Sequence, residues 1–242
     1  MEKKVLIIIP AYNEEENILK TYKSIEMHNK KSKTQYDCIV INDCSTDRTK
    51  QILESNKIPH INLVHNLGIG GAVQTGYKYA FYNNYDIAVQ FDGDGQHDVN
   101  YIKNIIKPII DGKADMVIGS RFIDKKSNGF KSSASRRIGI KIISSFIKFA
   151  TGKRIYDTTS GFRAVSKEII YDFSLSYPSE YPEPLTTAEI LKKKYNVDEV
   201  SVEMKERTGG ISSIRAWKSM YYMMNVCLAL LAIKVRRYEK CQ

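Results

Sequence analysis

Ile87-Ala88-Val89-Gln90-Phe91-Asp92-Gly93-Asp94-Gly95-Gln96-His97 carries a short apolar run straight into two carboxylates. The run reads as a buried strand, so Asp92 and Asp94 stand at its carboxyl end, where their spacing of two points both to one side. Gly93 and Gly95 let the chain turn sharply there without a Cβ clash. Two hard oxygen donors on one rim suit Mg²⁺ or Mn²⁺, which sits between a carboxylate or two and the phosphates of a nucleotide. A plain Asp/Gly turn has the same composition, so the surrounding chain has to decide between them. An EF-hand is excluded, because counting from Asp92 the sixth position is His97 rather than Gly and the twelfth is Lys103 rather than Glu.

Working outward, Val5 to Ile9 is an unbroken apolar run ending at Pro10, and Asn13 followed by Glu16 reads as a capping box opening a helix to about Met27. Cys38 to Ile41 is a second run, ending at Asn42-Asp43, with Ser45 or Asp47 placed to cap a helix to about Ser55. Ile61 to Val64 is a third run. A helix from Gly68 to about Tyr82, the strand at 87–91, a helix near Val99–Ile110 and a strand at Met116 to Ile118 follow. Strands that read as continuous apolar runs and alternate with helices predict an α/β fold whose mostly parallel sheet is covered on both faces. Ligands in such sheets gather at the carboxyl ends of the strands. Asp43 and Asp92 both fall there, so the segments around them are expected to converge on one crevice. Gly68-Ile69-Gly70 is not a dinucleotide fingerprint, since position 73 is valine.

A chain of 242 residues, 43% hydrophobic, can bury one sizeable core, and it contains no repeat, low-complexity tract or linker to divide it. The four cysteines lack zinc spacing and no signal peptide precedes the first strand, so a reducing cytosol is expected. The net charge of +10 is unevenly placed, with nine Lys/Arg and no acidic residue between Lys125 and Arg154. Ile138, Ile140, Ile142, Ile143, Phe146, Ile147 and Phe149 stand among those cations, a composition that suits an anionic membrane surface and not nucleic acid. A core helix with a solvated basic face is the other reading of the same stretch. Met220 to Ile233 is apolar apart from tyrosines and Asn225, and cations follow it. It falls short of the ~20 residues that span a bilayer, so it reads as an in-plane helix, one packed on a small membrane partner, or a plain core or oligomer helix.

The chain resembles glycosyltransferase family 2, with its Rossmann-like GT-A fold. The matching pieces are Ile9-Pro10-Ala11-Tyr12-Asn13-Glu14, Asn42-Asp43-Cys44-Ser45-Thr46-Asp47-Arg48-Thr49, Asn66-Leu67-Gly68-Ile69-Gly70, the Asp92 to His97 element, Gly119-Ser120-Arg121, Asp157-Thr158-Thr159-Ser160-Gly161-Phe162-Arg163 and Glu206-Arg207-Thr208-Gly209-Gly210-Ile211-Ser212-Ser213. They keep family order over roughly residues 4 to 213. The last three are most similar to the branch that moves a sugar from a nucleotide onto a polyprenyl phosphate, such as dolichol-phosphate mannose synthases. The resemblance implies a single GT-A catalytic domain over residues 1–213 and a basic amphipathic helix over 214–242, on a membrane surface or a small membrane-protein subunit. The expected location is cytoplasmic, peripheral on the inner face of the cell membrane.

The resemblance also implies a metal-dependent inverting glycosyltransferase, using Mg²⁺ or Mn²⁺ and a nucleotide-sugar donor. UDP-N-acetylglucosamine or UDP-glucose is favoured, with GDP-mannose open. By resemblance Asp94 is the metal ligand, Asp92 a ligand or a ribose contact, and Gln96 a further one; His97 is an imidazole and a poor match for a hard cation. Pro10, Ala11, Tyr12 and Glu14 are expected on base and ribose, and Asp43 accepts from the base. Gly68 and Gly70 are expected to let the backbone approach the nucleotide. An ionised lipid phosphate attacks without a strong base but needs cations to hold it, and Arg121, one of Arg136 and Arg137, and Arg207 are the candidates. The relatives' serine four residues after the second arginine is Ile140 or Lys141 here. Glu183, in Tyr181-Pro182-Glu183-Pro184, is the candidate base if the acceptor is a sugar hydroxyl in polysaccharide extension. A non-catalytic nucleotide-sugar-binding subunit is the third reading, against which the intact Asp92/Asp94 pair argues.

Overall fold

The computed structural model describes residues 3–32, 34–123, 134–204, 216–238 and 240. The segment containing Arg207, residues 124–133 of the basic stretch, Cys241 and the side chain of Arg136 lie outside the described residues.

The elements run β1 (Val5–Ala11), α1 (Ile18–Lys31), β2 (Asp37–Asn42), α2 (Thr49–Ser55), β3 (His60–Asn62), α3 (Gly68–Tyr82), β4 (Ile87–Gln90), a 3₁₀ turn at Val99–Tyr101 leading into α4 (Ile102–Ile110), and β5 (Met116–Ser120). Then follow α5 (Ala134–Thr151), β6 (Arg163–Ser166), α6 (Lys167–Leu175), α7 (Pro182–Lys192), β7 (Val197–Ser201) and α8 (Ala216–Val235). The sheet order is β3-β2-β1-β4-β6-β5-β7. All pairings are parallel except those of β6, which runs antiparallel to both β4 and β5.

All seven residues of β1 are buried, which is why that run has no polar alternation: Leu6 and Ile8 face one core while Val5, Ile7 and Ile9 face the other. The first core is closed by α3, α5, α6, α7 and α8 through residues such as Val73, Ile143, Phe173, Ile190 and Leu230. The second is closed by α1, α2 and α4 through Ile18, Leu53, Ile102 and Ile105. Each fully buried isoleucine contributes about 1.5–3 kcal/mol, so the double cover is the main source of the sheet's stability.

Three sequence expectations change at element boundaries. Asn13 does not open a helix, since its φ is +54° and α1 begins at Ile18 after Asn17. Its side-chain oxygen accepts from the Thr46 N–H at 2.8 Å instead, and an Asn tolerates the left-handed backbone that this bond between loops requires. Of the two candidate caps on α2, Asp47 takes the Thr49 N–H at 2.9 Å, while the Ser45 hydroxyl accepts from Asn13 N–H. The C-terminal helix has 20 residues, longer than its apolar run, yet no helix among the described residues is long and apolar enough to cross a membrane.

α3 lies close on β1 because Gly76 has no side chain: a Cβ there would stand 2.2 Å from Ile8 Cγ2. Ile8 is β-branched and fully buried, so it cannot swing aside. Gly76→Ala is expected to overpack this contact and destabilise the chain by about 1–3 kcal/mol, read as a lower urea midpoint with an unchanged slope.

Candidate active site at the strand ends

β2, β1 and β4 are neighbours, so their carboxyl ends lie side by side at a point where the chain leaves the sheet in two directions. The two loops that follow β1 and β2 are laced together. Asn13 N–H donates to Ser45 Oγ, Glu14 N–H to Thr49 Oγ1 and Glu15 N–H to Asp47 Oδ2. Tyr12 stays half exposed above them, Glu14 is partly exposed, and Pro10 and Ala11 are buried at the end of β1. Asp43 is buried. Its Oδ1 accepts the Leu67 N–H at 2.7 Å, which fastens the start of α3 to the end of β2. Burial raises its pKa, and the N–H groups of Leu67 and Gly68 oppose that rise.

Gly68 has φ +74° and open space around it, as expected for a backbone that a ligand can approach. Gly70 differs. A Cβ there would meet the Pro178 carbonyl oxygen at 2.1 Å and Ser179 at 2.7 Å, so this glycine admits the 178–179 backbone to the helix.

The Asp92 to His97 loop is held from several sides. Thr21 Oγ1 donates to the Gly93 carbonyl, Gln96 N–H to Asp94 Oδ1, and Asp92 N–H to His97 Nδ1 at 3.0 Å. Nδ1 is therefore an acceptor and the ring proton sits on Nε2, which lies 3.5 Å from Asp92 Oδ2. The ring is stacked on Phe162 at 4.8 Å and edge-on to Phe91. Burial, the largest cause, lowers the His97 pKa to about 4, so the imidazole is neutral near pH 7. Both its nitrogens are turned to Asp92, which makes His97 the support of that carboxylate. Asp92, Asp94 and Gln96 remain partly exposed.

No group of three or more His, Cys, Asp or Glu among the described residues is arranged to hold a metal. Two carboxylates and an amide at an open rim still fit Mg²⁺ or Mn²⁺, which take one or two protein carboxylates and complete their shell with phosphate oxygens and water.

Because β6 enters the sheet antiparallel, residues 157–162 arrive at this same end. Gly161 lies directly on Asp92, and a Cβ there would stand 2.8 Å from both carboxylate oxygens. Asp157, fully buried, takes Arg121 in a fork, Nε to Oδ2 at 2.7 Å and Nη2 to Oδ1 at 2.8 Å, and also accepts the Arg121 N–H. Glu199 on β7 holds that segment in place by accepting the N–H groups of Tyr156 and Asp157. Arg121 is itself buried, with its Nε and Nη2 held by Asp157. Removing one partner of such a buried pair costs about 3–5 kcal/mol.

Arg137 is exposed on α5. Glu183 lies in the first turn of α7, half-buried and close enough to Asp92 that the two charges interact. Asp157, Glu199, Gln90 and Arg163 were not singled out from sequence. For Asp157 and Arg163 the signal was present, since both belong to a quoted motif. For Glu199 and Gln90 there was none.

The contact between Gly161 and Asp92 gives a direct test. Gly161→Ala is expected to displace the Asp92 carboxylate and weaken Mn²⁺ binding in the presence of nucleotide roughly 10–100-fold. Titration calorimetry reads the affinity, and circular dichroism checks that the fold is retained.

Comparison with known proteins agrees with this geometry. The model of the family "Glycosyl transferase family 2" matches residues 6–173. The chain is 34% identical over 224 residues to a UDP-N-acetylglucosamine--dolichyl-phosphate N-acetylglucosaminyltransferase of Methanococcus voltae, covering 84% of this chain and 86% of that one. It is 26% identical to the polyprenol monophosphomannose synthase of Mycolicibacterium smegmatis, covering 88% and 81%. Among solved structures, glucosyl-3-phosphoglycerate synthase from Mycobacterium tuberculosis in complex with Mn²⁺, UDP and phosphoglyceric acid superposes with a TM-score of 0.72 at 16% identity, over 96% of this chain and 78% of that one. That likeness establishes the shared GT-A fold. With the strand-end carboxylates, the laced loops and the family match in register along the sequence, the chain belongs to glycosyltransferase family 2.

Proposed function

We propose that this enzyme transfers a hexose or N-acetylhexosamine from a nucleotide-sugar donor to a polyprenyl phosphate. The observation that carries the reading is the Asp92/Asp94 rim beside a laced nucleotide cradle, in a chain 34% identical to a relative named for transfer to dolichyl phosphate. That relative's name also favours UDP-N-acetylglucosamine as donor, with UDP-glucose and GDP-mannose as the alternatives.

In this reading Tyr12, Glu14 and Asp43 seat the base and ribose, and the diphosphate lies over Asp92 and Asp94 at the end of β4. A divalent cation held by Asp92 and Asp94, with Gln96, would supply Lewis-acid stabilisation of the charge that grows on the departing diphosphate. Gly161 and His97 keep the Asp92 carboxylate in position for that task. The acceptor phosphate oxygen attacks the anomeric carbon from the face opposite the diphosphate, forming one C–O bond as the other breaks, with inversion. Arg121 shapes the floor through Asp157, while Arg136 or Arg137 and Arg207 are proposed to hold the incoming phosphate.

The outer surface of α5 and α8 supports work at a membrane. Gly139 lies against Met223 and Lys234 against the Phe149 ring, so the helices run side by side in the same direction. Ile140, Ile143 and Ile147 are buried, as expected for a core helix, but Ile138, Ile142 and Phe149 are exposed beside exposed Arg137, Lys141 and Lys148. On α8, Tyr221, Met224, Leu228, Leu231 and Val235 form an exposed stripe at helical spacing. The core reading thus describes the buried face of α5, and the exposed cations and apolar side chains of its other face support the membrane reading. A groove of about 440 Å³, lined by Tyr181, Leu185, Leu228 and Ala229 among others, opens beside this stripe and suits an isoprenoid chain. We place the enzyme peripherally on the cytoplasmic face of the cell membrane.

Polysaccharide extension by a sugar hydroxyl remains the second reading, favoured by the half-buried Glu183 carboxyl near Asp92. The deciding experiment is transfer of radiolabelled sugar from UDP- and GDP-donors to undecaprenyl phosphate, followed by organic extraction. Labelled lipid is expected, abolished by EDTA and reduced by orders of magnitude in Asp94→Ala, because an unneutralised diphosphate is a poor leaving group. Label appearing only in oligosaccharide would move the assignment to polysaccharide extension.

The membrane reading has its own test. Each Lys or Arg near an anionic surface contributes about 1 kcal/mol, screened by salt. The chain should sediment with phosphatidylglycerol vesicles at low salt and less at high salt. Equal, negligible binding to anionic and neutral vesicles would count against it.

A further inference from the structure

Behind Asp92, the sheet carries a group of buried polar side chains that the laced cradle does not use. Gln90 on β4 stands directly opposite Arg163 on β6, and both are buried, at 0% and 1% exposure. Arg163 donates from Nε to the Ser160 carbonyl and from Nη1 to Thr186 Oγ1. Its Nη2 and the Tyr77 hydroxyl are buried without a hydrogen-bond partner among the described residues, and the buried Gln90 amide has no partner apart from the Glu183 carboxyl. Buried polar atoms are nearly always satisfied, so orphans gathered around one carboxyl mark a place where polarity is kept for a purpose.

That carboxyl is Glu183. Burial raises its pKa, while the Arg163 charge and the Gln90 amide lower it and Asp92 raises it further. Glu183 thus has a fixed cation and an amide behind it and the metal-binding carboxylate beside it, and it retains partial exposure on its open side. Its helix is set by Tyr181, held at φ +52°, and by the 178–179 backbone packed onto Gly70.

The order of the sheet gives the direction. The base and ribose cradle lies at the ends of β2 and β1, Asp92 and Asp94 at the end of β4, and the Gln90, Arg163 and Glu183 group at β4 and β6. A nucleotide sugar is linear in the same sense: base, ribose, diphosphate, sugar. With the diphosphate at Asp92, the sugar comes to the Glu183 side. We propose that Glu183 is the specificity-determining residue for the transferred sugar, accepting hydrogen bonds from its hydroxyl groups while Arg163 and Gln90 position the carboxylate. An ionised carboxylate offers two acceptor oxygens and no donor, which suits a pair of neighbouring hydroxyls. A polar site left unpaired by a substrate lacking the hydroxyl rejects that substrate strongly. The inference rests on the reading of the donor as a nucleotide sugar and is independent of the acceptor.

The test is titration calorimetry on the full chain with Mn²⁺, comparing UDP with UDP-N-acetylglucosamine and GDP with GDP-mannose, in wild type, Glu183→Gln and Glu183→Asp. For the pair that wild type binds, both variants are expected to keep the affinity for the bare nucleotide and the unfolding midpoint. The ratio of sugar-nucleotide to bare-nucleotide affinity should fall roughly 10–100-fold in Glu183→Gln, as for loss of hydrogen bonds to a charged group. Glu183→Asp keeps the charge facing Arg163 but shortens the reach, and the same ratio should fall there too, which decides the matter if the Gln variant is poorly folded. An unchanged ratio in both variants would overturn the inference and return Glu183 to the role of base. A parallel loss of nucleotide and sugar-nucleotide binding would overturn it in favour of a purely structural carboxyl. Wild-type binding of neither pair would instead remove the donor reading itself, and the inference with it.

Discussion

The antiparallel entry of β6 between β4 and β5 is the constraint on which the site depends. A parallel strand in that place would begin at the far end of the sheet. Running backwards, β6 delivers the residues before Arg163 to the carboxyl ends of its neighbours. Gly161 then lies on Asp92, Phe162 under His97, and Ser160 donates to the Gly119 carbonyl. Asp157 reaches Arg121 by the same route. One reversal of strand direction therefore brings three short segments together.

Charge in this region is handled by burial with a dedicated partner. Arg121 and Asp157 neutralise each other in a fork, and Glu199 ties down the segment that carries Asp157. His97 is driven neutral by burial and serves as acceptor for one backbone N–H while its own proton faces Asp92. Asp92 and Asp94 are left partly exposed at the rim. The fully desolvated charges stand where geometry has to be rigid, and the carboxylates proposed to meet an ion and a diphosphate keep partial exposure.

The same economy is visible in α5 and α8. Each spends one face on the core, through Ile143 and Ile147 or Val226 and Leu230, and leaves a second apolar stripe outside. The groove next to Tyr181 and Leu228 joins that outer surface to the entry of α7, where Glu183 sits. In the proposed function, surface attachment, lipid groove and sugar contact are thus consecutive along one path toward Asp92.

Much of this was legible in the residues themselves. Short continuous apolar runs between turn signals read as strands covered on both faces, and their order with helices specifies a mostly parallel sheet whose ligands lie at the strand ends. Asp43, Asp92 and Asp94 were visible because a carboxylate directly after such a run has few structural reasons to be there. Local pattern alone misassigned Asn13, whose side chain bonds to Thr46 more than thirty residues away, and could not show that the missing Cβ of Gly70 admits the backbone of Pro178 and Ser179. It also could not show that Asp157 holds Arg121 in a fork. The direction of β6, the neutral ring of His97 and the gathering of Gln90, Arg163 and Glu183 depend on contacts between segments far apart in the chain. Periodicity and spacing report what a residue's neighbours in sequence require of it. Which carboxylate meets which cation, and which polar group is left without a partner, is decided only when the sheet brings distant segments to one end.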